Sequence, residues 1–175
     1  GTPALSSVDG VGVQMAGGNT RSRMFAIDHR ELAVAWTPVG TVSCTSLPNS
    51  TGRAAALAAY GSTDAAANSL RLRVVDLPAS SFGLLISGRV EGNAPLLEGV
   101  LCLGSPIGRH LDSVASSGAT GEVELAVDLT AMPVASPPFE TAVAPGETWT
   151  FRWWHRDVTA GPTANLSNAV AVSFR

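Results

Sequence analysis

Apolar and polar residues alternate with a period of two along much of the chain. Leu70, Leu72 and Val74 interleave with Arg71, Arg73 and Val75. Val123, Leu125, Val127 and Leu129 interleave with Glu122, Glu124, Ala126 and Asp128. Val170, Val172 and Phe174 interleave with Ala169, Ala171 and Ser173. Successive side chains of a strand point to opposite faces, so each run predicts a strand with one face on a core. Weaker runs are Val11, Val13 and Met15; Phe25 and Ile27; Leu32, Val34 and Trp36; and Phe82, Leu84 and Ile86. Turn signals separate the runs: Asp9-Gly10, Gly17-Gly18-Asn19, Pro48-Asn49-Ser50, Gly92-Asn93-Ala94-Pro95, Ser117-Gly118 and Pro145-Gly146. Many short strands punctuated in this way predict an all-β chain, an antiparallel β-sandwich of jelly-roll-like form. Only Ala54 to Tyr60 is rich enough in Ala to suggest a helix. The run is short and lies between turns, so it too is read as a strand.

Composition fits this class. Of 175 residues, 45% are hydrophobic, enough for a core, and 14% are charged, against roughly 25% in an average soluble domain. The surface must therefore be made of Ser, Thr, Asn, Gly and Ala, as in extracellular proteins and in subunits that bury their outside against copies of themselves. The net charge of −3 argues against nucleic acid or an anionic membrane as partner, because both need clustered positive charge. All eleven basic residues are Arg. A GC-rich genome explains this; avoidance of lysine-directed chemistry or proteolysis is the alternative. No run approaches 18 continuous apolar residues, so no membrane-inserted helix is expected. The start Gly1-Thr2-Pro3, without Met, is read as a removed leader or a trimmed start.

Candidate chemistry is sparse. In the segment Trp149 to Asp157, one face of a strand would carry Trp149, Phe151, Trp153 and His155, a core face. The other would carry Thr150, Arg152, Trp154 and Arg156, placing an indole between two guanidinium groups. Trp154 with Arg152 and Arg156 is thus a candidate interface anchor or sugar-stacking platform, or else a Trp covered by its own neighbours. His155-Arg156-Asp157 occurs in kinase catalytic loops, but the strand Lys and the Gly-rich loop are missing. His110 and Asp112 could join a serine in a hydrolase triad, yet no Gly-x-Ser-x-Gly elbow exists. His29, His110 and His155 lack zinc-site spacing. Asp9, Asp64, Asp76, Asp112, Asp128 and Asp157 sit beside turns, where Asp bonds its own backbone; calcium held by two such loops is the only cofactor suggested. Asn49-Ser50-Thr51 and Asn165-Leu166-Ser167 fit the N-glycosylation pattern. Cys44 and Cys102 would be buried thiols in a cytosolic protein and one disulfide in a secreted one. Nothing here points to catalytic, cofactor-binding or metal-ligating residues as a set.

A resemblance extends these readings. The stretches Ser43 to Gly52, Asp76-Leu77-Pro78 with Phe82-Gly83, Leu101-Cys102-Leu103-Gly104-Ser105-Pro106-Ile107-Gly108-Arg109, Ser117 to Gly121, Leu125 to Leu129, Pro145 to Phe151, Trp154 to Asp157 and Asn165 to Asn168 occur in that order. They resemble a C-terminal β-sandwich module of large secreted proteins from environmental bacteria, a family without an assigned activity. Ser105, His155, Leu166 and Ala169 depart from its usual Gly, Tyr, Phe and Gly. The resemblance covers residues 41–175 and implies a secreted sandwich in which Cys44 and Cys102 pair. Residues 1–40 then form a strand-rich extension that packs on its own or a neighbouring sandwich. The expected function is a non-catalytic extracellular or cell-surface structural protein that associates with itself, forming filaments by strand addition. The alternative is a monomeric module that binds polysaccharide or a surface.

Overall fold

The computed structural model describes residues 37–158 and 162–175. The chain divides into two units, Gly1–Ala35 and Trp36–Arg175. The runs Val11 to Met15, Phe25 to Ile27 and Leu32 to Trp36 lie outside the described residues. In chain order the strands are β1 Pro38–Val39, β2 Thr41–Cys44, β3 Ala56–Tyr60, β4 Arg71–Val75, β5 Phe82–Gly88, β6 Glu91–Leu96 and β7 Gly99–Leu103. They continue as β8 Gly108–Ser116, β9 Val123–Ala126, β10 Met132–Pro133, β11 Glu140–Thr141, β12 Thr148–Val158, β13 Pro162–Leu166 and β14 Ala169–Ser173. The Ala-rich run is a strand, as its turn-bounded setting requires.

Two antiparallel sheets face each other. One has the order β1-β3-β4-β9, the other β2-β14-β12-β5-β8, with β13 beside the far half of β12. Leu57, Leu72 and Val74 from the first sheet and Leu85, Trp149, Phe151, Trp153 and Val172 from the second form one buried cluster. The fold is therefore an all-β sandwich, and the three strongest period-two runs, Leu70–Val74, Val123–Leu129 and Val170–Phe174, place the residues they single out on the core. Leu125, paired with Leu72, packs on this core but is only half-buried because β9 is an edge strand. The first sheet's outer face carries exposed ion pairs, Arg71–Glu124 at 2.9 Å and Arg73–Glu122 at 2.6 Å.

The chain enters the sandwich earlier than residue 41. Pro38 and Val39 pair with Tyr60 and Ala59 in the first sheet, and Thr41 opens β2 in the second. Gly40 makes the change of sheet at φ +80, where a Cβ would overlap the Ala171 carbonyl oxygen. One seam of the sandwich is thereby closed by continuous chain.

Two expectations fail on the second sheet, for one reason. Gly92-Asn93-Ala94-Pro95 is not a turn but lies within β6, which pairs with β7. This hairpin covers the outer face of the second sheet: Leu103 joins Ile86 and Leu166 in a second buried cluster flanked by Leu84, Leu96, Leu101 and Trp154. Sequence alternation assigned the core side of β5 to Phe82, Leu84 and Ile86. Instead Leu85 enters the main core, Leu84 and Ile86 face the hairpin, and Phe82 is 53% exposed. A strand covered on both faces shows no polar side from which to read its phase.

Candidate functional site

Cys44 at the end of β2 and Cys102 in β7 form a disulfide, with their Cα atoms 6.3 Å apart. The bond ties the covering hairpin to an edge strand of the second sheet. Arg152 reinforces the same junction. It is fully buried, its Nε donating to the Ser167 carbonyl at 2.6 Å and its Nη1 to the Val100 carbonyl and, at 3.6 Å, toward Cys44 Sγ. No carboxylate neutralises it among these contacts, and its Nη2 has no partner. Burial accordingly lowers its pKa below the ordinary guanidinium value, to about 10.

The aromatic platform read from sequence is arranged differently. Arg152 points into the protein as a clamp on the hairpin, Trp154 is half-buried in the second cluster, and Arg156 is exposed. The stacked cation among the described residues is elsewhere: the Arg89 guanidinium lies 5.3 Å from the Trp149 ring centroid. Arg89 also pairs with Glu147 at 2.6 Å, and Glu147 accepts the Trp149 indole N–H at 3.0 Å.

His155 is fully buried on the core face of β12, opposite Gly83, and neither ring nitrogen has a partner. Gly83 leaves room for the neighbouring Trp153 indole: a Cβ there would overlap the Trp153 Nε1 and the Trp154 carbonyl oxygen. Burial lowers the His155 pKa to about 4, although Asp157 two residues on pulls it upward. Burial works to raise the Asp157 pKa, but hydrogen bonds from Ser50 and Val158 outweigh it and hold the carboxyl below its ordinary value. Asp64 caps a short 3₁₀ turn over Ala65–Ala67, Asp76 pairs with Arg53, and Asp128 closes a turn on Thr130. Asp9 lies outside the described residues. No three His, Cys, Asp or Glu side chains gather to hold a metal among the described residues, calcium included. Asn49 and Asn165, the glycosylation candidates, are buried and donate to the Asp76 and Pro48 carbonyls.

The seam opposite β1 and β2 is not closed by strand pairing: β10 packs there instead, with Met132 in the core and the Pro133 carbonyl against Gly108 of β8. Among the described residues β8 pairs only with β5 and β9 only with β4. Between them lies a groove of about 960 Å³, lined by β8, β9 and the segment from Ala131 to Glu140. Leu84 of β5 lies opposite four residues of β8, because Gly83 pairs with Ala115 and Leu85 with His110. The surplus residues bulge outward and leave Leu111 72% and Val114 53% exposed. Ser113 holds the bulge, accepting from the Leu85 N–H at 3.2 Å and donating to the His110 carbonyl at 2.7 Å. Phe139, at 59% exposure, stands on the other rim.

His110 lines the groove and shares a 2.9 Å hydrogen bond with Ser87 Oγ, while Asp112 stands on the rim. These are three residue types of a hydrolase triad, but Ser87 is fully buried and does not face the groove. A nucleophile has to meet its substrate; here the hydroxyl ties two strands of the second sheet. Burial lowers the His110 pKa to about 4, with Asp112 opposing. The groove escaped sequence reading. Its one signal is the three-residue spacing of Leu111 and Val114, which breaks the strand period and marks the bulge. Comparison of the chain with protein families, curated proteins and solved structures finds no match.

Proposed function

We propose that this protein is a non-catalytic extracellular structural subunit that associates with copies of itself. One observation carries the reading: the sandwich is closed by chain at one seam, while at the other, among the described residues, β8 and β9 are not paired with each other and leave a groove with exposed apolar side chains on its rims. Open sheet edges and exposed apolar side chains beside a groove mark a surface that another chain can complete. The disulfide supports an oxidising compartment, and the resemblance to a module of secreted bacterial proteins supports the same placement. The strand-like runs before residue 37 supply material for strand addition, so a filament is the assembly this reading favours. Light scattering on the full-length protein over a hundred-fold concentration range tests it, with electron micrographs of the same samples. Growth in molar mass with elongated particles is expected. A monodisperse monomer at every concentration overturns the reading in favour of a monomeric polysaccharide- or surface-binding module.

A further inference from the structure

We propose that the groove between β8 and β9 receives the segment Arg21–Ile27 of a second copy of this chain. The inference rests on the self-association reading and names the contact that produces it. The groove has an apolar side and an acidic side. Leu125 and Val134 line it with Leu111 and Phe139 on its rims, and Asp112, Asp128 and Glu140 outnumber the single base, Arg109. All three carboxylates are exposed, and none is in an ion pair among the described residues.

The occupant must therefore be part apolar and part cationic. Of the strand-like runs before residue 37, Val11 to Met15 and Leu32 to Trp36 contain no charge. Arg21–Ile27 combines both properties. In extended form Arg21, Arg23, Phe25 and Ile27 share one face, two cations followed by two apolar groups. Ten residues, Asp28 to Thr37, connect it to β1, a tether of about 35 Å when extended. The tether joins the sandwich at β1, the edge farthest from β9 in its sheet, so it starts at the closed seam. A neighbour presenting its unpaired seam there is met without the segment doubling back over its own sandwich. Such a contact is head-to-tail and does not close, which gives a chain of subunits.

Charge reversal in the full-length protein tests the pairing. R21E/R23E removes the cationic end of the segment, and D112R/E140R reverses the rim of the groove. Each variant alone is expected to be a monomer of 17.9 kDa under conditions where the wild type grows. Mixed in equal amounts, they are expected to regain growth as an alternating chain, since the basic segment of one fits the acidic groove of the other and the acidic segment fits the basic groove. Combining all four substitutions in one chain should restore growth. Unaltered circular dichroism shows that the variants fold; E140R alone replaces the double variant if that one does not. If R21E/R23E assembles like the wild type, the segment is wrong while self-association stands. If the mixed variants stay monomeric, the segment does not occupy a neighbour's groove. A wild type that is monomeric throughout overturns the self-association reading, and this inference with it.

Discussion

Replacing His155 by Leu should stabilise the protein, and the gain should grow as the pH falls. The imidazole is fully buried with both nitrogens unpartnered. A buried polar group without a hydrogen bond costs about 1–3 kcal/mol in proteins. Leu has nearly the same volume and no polar atom, so at pH 7 the variant should gain about 1–2 kcal/mol. Acid adds a second contribution. The folded-state pKa of about 4 lies below the ordinary 6.5 because burial disfavours the cation. A depressed histidine pKa means that the unfolded chain takes up the proton first, so stability is present above pH 6.5 and is lost as pH falls toward 4. The interval is about 2.5 pH units, worth on the order of 3 kcal/mol at about 1.4 kcal/mol per unit. The gap between variant and wild type should therefore widen by up to that amount between pH 7 and pH 4. Asp157 does not reverse the sign, because its depressed pKa places its own loss of stability at still lower pH. Urea unfolding at pH 7, 5.5 and 4 measures both parts. A variant less stable than the wild type at pH 7, or a gap that stays constant on acidification, would refute the reasoning.

Reducing the Cys44–Cys102 bond, which spans 58 residues, should cost about 4 kcal/mol on the chain-entropy model, read as a lower urea midpoint in reductant. Leu72→Ala, at a fully buried site, should cost about 3–5 kcal/mol, and the half-buried Leu125→Ala about 1–2. Arg71→Ala, which removes only an exposed ion pair, should cost under about 1 kcal/mol; equal losses at positions 71 and 72 would invert the facing of β4. Arg152→Ala should cost about 3 kcal/mol or more, by stranding the Ser167 and Val100 carbonyls and opening a cavity. Arg152→Met should cost clearly less, since it fills the space without a buried charge, and equal unfolding midpoints for the two variants would show that the clamp reading is wrong.

Much of the fold follows from the sequence alone because period two is a local property. Leu70, Leu72 and Val74, or Val170 and Val172, must share a face whatever lies beyond them, and turn residues cut the chain into strands short enough to stack as a sandwich. The aromatic face of β12 was legible for the same reason: Trp149, Phe151 and Trp153 have nowhere else to go. Local pattern says nothing about what covers the opposite face. Only the tertiary structure brings the β6–β7 hairpin, some fifty residues earlier in the chain, over Arg152 and Trp154. That contact turns Arg152 from an apparent surface residue into a buried clamp and reverses the reading of β5. Edges are decided the same way. A strand's sequence reveals its two faces but not its two neighbours, because backbone pairing is made with whichever strand the topology places alongside. That β8 and β9 lie at the unpaired seam, and that a groove separates them, is a consequence of strand order, which the sequence does not display.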